Sequence, residues 1–383
     1  MKLTSMVQMI GMGLALGSTV QLAVAGEGGQ KKRVPLVHGT DLFHPHDDPD
    51  DHFDLATVFA IEEFDVKAIL LDLGSKQRQK PGRIPVEQML KITGRQVPYA
   101  AGLSHKLKSP DDKALDQPKE DQGAVELLLK VLRESPEPVM INLAGSTRDV
   151  CAAFNRDPQL LRDKVARLYL NIGSMLQDQS ERAGEWNELL DPQAYIGVMR
   201  SGLPVYWCPC RPTKENRSSH WAFKHGEVLE GVPPALLNWF IYALQVVRPE
   251  EIDPMAAMSM DLRPWRHILM GMERSMWCTG GLIHASGRTI YRVGDHWVAA
   301  ASPPPEGKPA EVFTFVPVNV EIQDINGRAF TKWTESAAQP NMHMYKVTDP
   351  KNHQAGLKSC LHDLFVNFPA VLKPDVKPGV KTE

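Results

Sequence analysis

The sequence predicts an α/β protein whose open, mostly parallel sheet carries helices on both faces, followed by a C-terminal β-rich extension. Three observations lead there. Short apolar runs rich in β-branched residues recur from residue 33 onward, each separated from the next by a segment of helical spacing; β-α-β-α order implies parallel strands joined by crossover helices. Runs such as residues 66–71 are continuous rather than alternating, as in strands buried on both faces. With 43% apolar and 23% charged residues over 383 positions, the chain has the make-up of a folded globular protein.

The N-terminus stands apart. Lys2, an apolar Gly/Ala-rich run from Met9 to Val20, and Ala23-Val24-Ala25 before Gly26 follow the order of a secretory signal. We expect cleavage after Ala25 and export to a periplasm or the medium. The apolar stretch is too short to span a bilayer and nothing later reaches the necessary length, so no stable membrane insertion is expected after cleavage. Residues 26–370 are expected to form one domain: an α/β core over 33–210, a mainly helical part over 211–288, and strands with a final helix over 289–370. The Pro/Lys-rich residues 371–383 are expected to be a disordered tail.

Within the core, residues 33–38 read as the first strand and 54–64 as a helix with Asp54 as its N-cap. Strands follow at 66–71, 97–100, 138–143, 167–172 and 203–208, with helices at 86–93, 124–134, 147–155 and 192–200 between them. Asp191 before Pro192 is a helix start. Residues 234–244 are helical, and the methionines between 255 and 276 read as adaptable packing. From residue 289 the pattern turns to strands, with Ile325-Asn326-Gly327-Arg328 supplying a hairpin turn, and a final helix covers 357–367.

A net charge of -3 offers no basic excess to hold a phosphate backbone, which argues against a nucleic-acid partner and for a small neutral or cationic ligand. Five cysteines leave at least one outside any intrachain pair. Cys208-Pro209-Cys210 lacks a second pair at zinc spacing and reads as the end of a buried strand. No G-x-S-x-G elbow or G-x-G-x-x-G loop occurs.

The densest chemical signal follows the first strand: Asp41, Asp47, Asp48, Asp50, Asp51 and Asp54, six aspartates within fourteen residues. Such carboxylates repel one another unless a cation or donor array compensates. Hard cations favour these oxygen ligands, although the segment lacks the EF-hand glycine and glutamate. His44, His46 and His52 lie among them, without the i, i+4 pairing of a helical zinc site. In parallel sheets, ligands gather at the carboxyl ends of the strands, where this cluster falls.

Here the sequence resembles the inosine-uridine-preferring nucleoside hydrolases. Asp41 at a strand end and Asp54 before Leu55-Ala56 look like that family's D-x-D-x-G-x-D-D calcium motif, with a longer turn and no glycine; Asp50 and Asp51 are rival matches to its paired aspartates. Residues 140–147 resemble the strand and turn whose threonine carbonyl binds calcium, with Thr147 as the match, and residues 157–160 followed by Gly173 resemble a further family passage. Glu185-Trp186-Asn187, with Asp191-Pro192-Gln193-Ala194, is similar to E-F-N-x-x-x-D-P-e-A and is the most specific match. The resemblance covers roughly residues 33–210.

What the resemblance implies is a calcium ion held by Asp41, Asp54 and the Thr147 carbonyl, with Asp41 also accepting the proton of an attacking water. Glu185, Asn187 and either Asp50 or Asp51 would bind ribose hydroxyls, and the reaction would cleave the N-ribosyl bond of a nucleoside or related compound. The family's last ligand is an aspartate preceded by a catalytic histidine, opening a late helix; residues 276–284 are the place to look, and no His-Asp pair stands there. Asp261 and His284 lie near this stretch, and neither is assigned as the missing ligand. His284, His220, Trp221 and Trp277 are the candidates for stabilising the departing base. The missing pair keeps two alternatives open: a non-catalytic sugar- or nucleoside-binding protein of the same fold, and a hydrolase of another glycosidic bond. A homo-oligomer also remains open.

Overall fold

The computed structural model describes residues 33–178, 184–247, 252–338 and 340–374; the expected signal segment lies outside them. Six strands make the α/β core: β1 Val34–Thr40, β2 Phe64–Leu71, β3 Tyr99–Ala101, β4 Val139–Ala144, β5 Val165–Leu170 and β6 Val205–Trp207. They pair in parallel in the order β3-β2-β1-β4-β5-β6.

Alternate residues of these strands feed two separate cores. Leu36, Ile69 and Leu71 pack with the Asp50–Ala60 and Pro234–Ala243 helices, whereas Val37, Ala68 and Leu70 pack with Gly123–Glu134, Arg148–Arg156 and Pro192–Arg200. A strand buried on both faces needs apolar residues at every position, which is why the runs are continuous.

Later strands extend this sheet. After a two-stranded ribbon of β7 Trp221–Lys224 and β8 Glu273–Met276, and a three-stranded sheet of β9 Thr289–Val293, β10 His296–Ala300 and β11 Lys308–Pro309, come β12 Phe313–Ile325, β13 Arg328–Glu335 and β14 Met342–Val347. β14 pairs in parallel with β6, and β12 lies antiparallel to both β14 and β13, giving a nine-stranded sheet. The β12–β13 hairpin turns on Asn326 and Gly327, both at positive φ (55° and 76°), as its strand twist demands. Most of the expected β-rich extension therefore continues the core sheet; only β9–β11 form a sheet apart.

The first helix departs from expectation by one turn: it runs Asp50–Ala60, not 54–64. Pro49 is its N-cap residue, and Asp50 and Asp51 lie in the first turn, where carboxylates favour the helix dipole. Asp54 therefore lies inside the helix and does not cap it. At the start of the expected tail, the Val371 and Leu372 N–H groups donate to the Ile92 carbonyl; residues 375–383 lie outside the described residues. No helix among the described residues is long and apolar enough to cross a membrane.

Candidate active site

The chain leaves β1 toward β2 on one side, while β4 flanks β1 on the other, so the carboxyl ends of β1 and β4 frame a topological switch point where a crevice opens. Asp41, immediately after β1, closes the base of this crevice by donating its N–H to the Ala144 carbonyl at the end of β4 (3.0 Å). Beside it, the Asp72 carboxylate accepts the Ser146 N–H (2.7 Å) and hydroxyl (2.9 Å). Gly145 permits this approach: a Cβ there would lie 3.0 Å from the Asp41 nitrogen and 3.2 Å from both an Asp41 and an Asp72 carboxylate oxygen.

A cleft of about 570 Å³ opens above, and Asp41, Asp50, Asp51, Glu185 and Asn187 all line it. The Asp51 carboxylate accepts the Thr40 hydroxyl at 2.5 Å. Burial, followed by the charge of Asp72, pushes Asp41 up to about 7. Asp50 and Asp51 are held well above the usual carboxylate range, again by burial first and then by neighbouring aspartates. Asp47 and Asp48 line the cleft too, but their charges are matched: Asp47 pairs with Lys76 and Lys80, and Asp48 with Arg274 at 2.8 Å.

Asp54 and Thr147 are not among the cleft-lining residues. Asp54 is buried at 1% exposure with neither carboxylate oxygen hydrogen-bonded in ordinary geometry. Burial raises it to about 7, with the adjacent Cys278 thiol acting in the opposite direction. The Thr147 carbonyl accepts the Cys151 N–H (2.9 Å) in the first turn of the Arg148–Arg156 helix, and its hydroxyl is buried without a partner.

Glu185 is the N-cap of the Trp186–Leu190 helix. Its carboxylate accepts the N–H groups of Gly173 (2.8 Å), Asn187 (3.0 Å) and Glu188 (3.1 Å). Asn187 donates to the Asn171 carbonyl (3.0 Å). The Asn171 amide in turn donates to Asn142 (3.1 Å), whose own amide meets His38 Nδ1 (3.1 Å). This polar line across β1, β4 and the end of β5 reaches the cleft with the Asn171 side-chain oxygen Oδ1 buried and without a partner among the described residues. Sequence reasoning missed it; the available signal was His38 and Asn142 within apolar stretches of β1 and β4, and Asn171 directly after β5.

The late wall is Trp277 and Cys278, with Cys278 the N-cap of the Thr279–Ala285 helix. Trp277 donates to the Cys210 carbonyl (3.3 Å), and the His220 ring packs against it at 5.2 Å. The other proposed base-stabilising residues lie elsewhere: His284 is bonded to the Tyr169 hydroxyl (2.8 Å), and Trp221 is core at 1% exposure. Asp261 is paired with Arg263 at 2.7 Å. His44 stacks on Tyr242 and His52 packs against Trp239; burial holds both well below the usual histidine range.

The donor set suits a hard divalent cation: buried aspartate oxygens whose charges lack compensation, together with the unpartnered Asn171 Oδ1. Among the described residues, no three His, Cys, Asp or Glu side chains are already gathered as a metal cage. Binding would require the carboxylates to turn toward one another.

Comparison with known proteins places these features. The family described as inosine-uridine preferring nucleoside hydrolase matches residues 45–355. A pyrimidine-specific ribonucleoside hydrolase RihA from Citrobacter koseri is 35% identical over 189 residues, 45% of this chain and 58% of that protein. RihA of Salmonella arizonae is 31% identical over 188 residues, with the same coverage of 45% and 58%. The chain thus spans 58% of the length of these curated relatives. Among solved structures, a purine-preferring ribonucleoside hydrolase from Gardnerella vaginalis has a TM-score of 0.53 at 16% identity, covering 87% of this chain and 99% of that one. A plant nucleoside hydrolase superposes with a TM-score of 0.51 at 16% identity, with coverage of 87% and 99%. These two show the same fold.

Proposed function

Because the chain belongs to the inosine-uridine preferring nucleoside hydrolase family, we propose that its acidic cleft hydrolyses the N-ribosyl bond of a nucleoside or related compound with the help of a divalent cation, calcium by donor chemistry. The observation that carries this reading is the meeting of Asp41, Asp50 and Asp51 with Glu185 and Asn187 in one cleft at the switch point. We assign the cation to Asp41, Asp50 and Asp51 in preference to Asp54 and the Thr147 carbonyl, which stand outside the cleft lining. When bound, the cation would polarise the attacking water and draw in the ribose diol.

The chain's own residues do the rest. Asp41, with its proton affinity raised close to neutrality, accepts the water proton as the oxygen attacks the anomeric carbon. Asp50 and Asp51 supply negative charge beside the oxocarbenium-like transition state. Asn187, anchored on Asn171, offers an amide to a ribose hydroxyl, and Glu185 fixes the loop that presents it. Trp277 provides an aromatic face for the base. Ribose release from a nucleoside panel, with calcium and with chelator, tests the reading. Calcium-dependent turnover is expected; no turnover and no retained calcium would overturn it.

A second reading is favoured by one observation. Where the late half of the site would need a carboxylate, Cys278 presents a thiol that burial holds far above the ordinary range. A non-catalytic nucleoside- or sugar-binding protein would bind these ligands in the same assay without releasing ribose. We also propose export through the N-terminal segment, for which N-terminal sequencing of the mature protein should find Gly26 first.

A further inference from the structure

Among the described residues, matching the cleft's charges to their partners leaves four groups with neither an ion-pair partner nor a set of backbone donors, and one of them is positive. Asp47 is taken by Lys76 and Lys80, Asp48 by Arg274, and the Glu185 carboxylate by three backbone N–H groups. What remains is Asp41, Asp50, Asp51 and the guanidinium of Arg211, which lines the same cleft.

Arg211 is held in place by its backbone. Its N–H donates to the Gly173 carbonyl (3.3 Å), its carbonyl accepts the Met175 N–H (3.1 Å), and it bridges in parallel to Ser174. Its side chain makes no ion pair or hydrogen bond among the described residues; the buried Glu188 feels its charge without pairing to it. A guanidinium keeps its charge at any ordinary pH, and its planar fork matches the oxygens of an anion. Left unpaired in a ligand cleft, it selects for a ligand that brings negative charge.

We propose that Arg211 receives the phosphate of a nucleoside 5′-monophosphate, so that the cleft prefers a phosphorylated substrate to the neutral nucleoside. The assignment rests on the ribosyl-hydrolase reading above. If the cation held by the three carboxylates draws in the 2′ and 3′ hydroxyls, the 5′ oxygen is the ribose oxygen left to carry an anionic group. The acidic end then takes the diol and the guanidinium takes the phosphate, and the two ends orient the ribose between them.

Two measurements test this on the full chain. In calorimetry without turnover, ribose 5-phosphate is expected to bind at least about tenfold tighter than ribose, the scale of one charge-assisted contact. Arg211→Gln should erase that difference, and Arg211→Lys, which keeps the charge without the fork, should restore part of it. In turnover, the ratio of kcat/KM for uridine 5′-monophosphate to that for uridine should exceed about ten and collapse in Arg211→Gln. Hydrolysis of uridine with no advantage for either phosphorylated ligand would overturn the Arg211 assignment and leave the hydrolase reading intact. Arg211-dependent binding of ribose 5-phosphate without turnover of either substrate would keep the assignment and remove the hydrolase.

Discussion

Asp54→Asn should stabilise the cation-free protein, and by an amount that depends on pH. Asp54 is buried without a hydrogen-bonded oxygen, and its pKa rises from 3.8 to about 7. A carboxylate with a raised folded pKa binds more protons in the folded state than in the unfolded state between those two values, so stability falls as pH rises through about 4 to 7. Three pKa units correspond to about 4 kcal/mol at pH 8, shrinking to about 1 kcal/mol at pH 4.5. The near-isosteric amide carries no charge and escapes this cost. With about 2.1 cal/mol/K of unfolding entropy per residue over roughly 350 residues, 4 kcal/mol amounts to about 5 °C in Tm. Thermal unfolding of parent and variant in chelator, from pH 4.5 to 8, should show two curves that diverge above pH 5. A variant less stable than its parent at pH 8 would mean that the Asp54 charge is compensated within the fold, contrary to this prediction. If added calcium stabilised the parent but not the variant, Asp54 would be restored as a ligand.

Other substitutions probe the floor and its supports. Asp41→Asn should lower nucleoside turnover by about 10² to 10⁴, the range for a lost general base, while circular dichroism shows the fold retained. Gly145→Ala should cost far more activity than stability, since its methyl group would press on the Asp41 and Asp72 carboxylates; steady-state kinetics set beside Tm will separate the two. Arg148→Ala should destabilise by about 3 to 5 kcal/mol in urea unfolding, because it strands the Asp191 carboxylate, paired at 2.9 Å with both side chains almost fully buried. An unchanged urea midpoint would contradict that ledger of buried charge.

The elements of this fold differ in how plainly the amino-acid sequence encodes them. The parallel core was legible because burial on both faces writes continuous apolar runs, and Asn326-Gly327 announced its hairpin through backbone geometry alone. The parallel pairing of β14 with β6 joins segments well over a hundred residues apart, and no local pattern encodes it. The motifs singled out Asp41, Glu185 and Asn187, and all three line one cleft. Asp54 was read as the helix start because aspartates four residues apart are equally good starts, and the deciding feature was Pro49 at the cap. Arg211 could not be singled out at all: an unpaired charge is a property of its surroundings, and those are assembled from loops after four different strands.

The arrangement of the sheet at the switch point has a consequence for how such a cleft can change over generations. The acidic floor comes from the turn after β1 and the helix start beside it, whereas the facing wall comes from loops after β5 and β6 and from the entry to the Thr279–Ala285 helix. Separate segments of the gene therefore encode the two sides. On the proposed reading, substitutions at Arg211, Trp277 and Cys278 can accumulate and redirect selectivity while the aspartates of the floor stay fixed, so divergence is expected to be fastest on the wall and slowest on the floor.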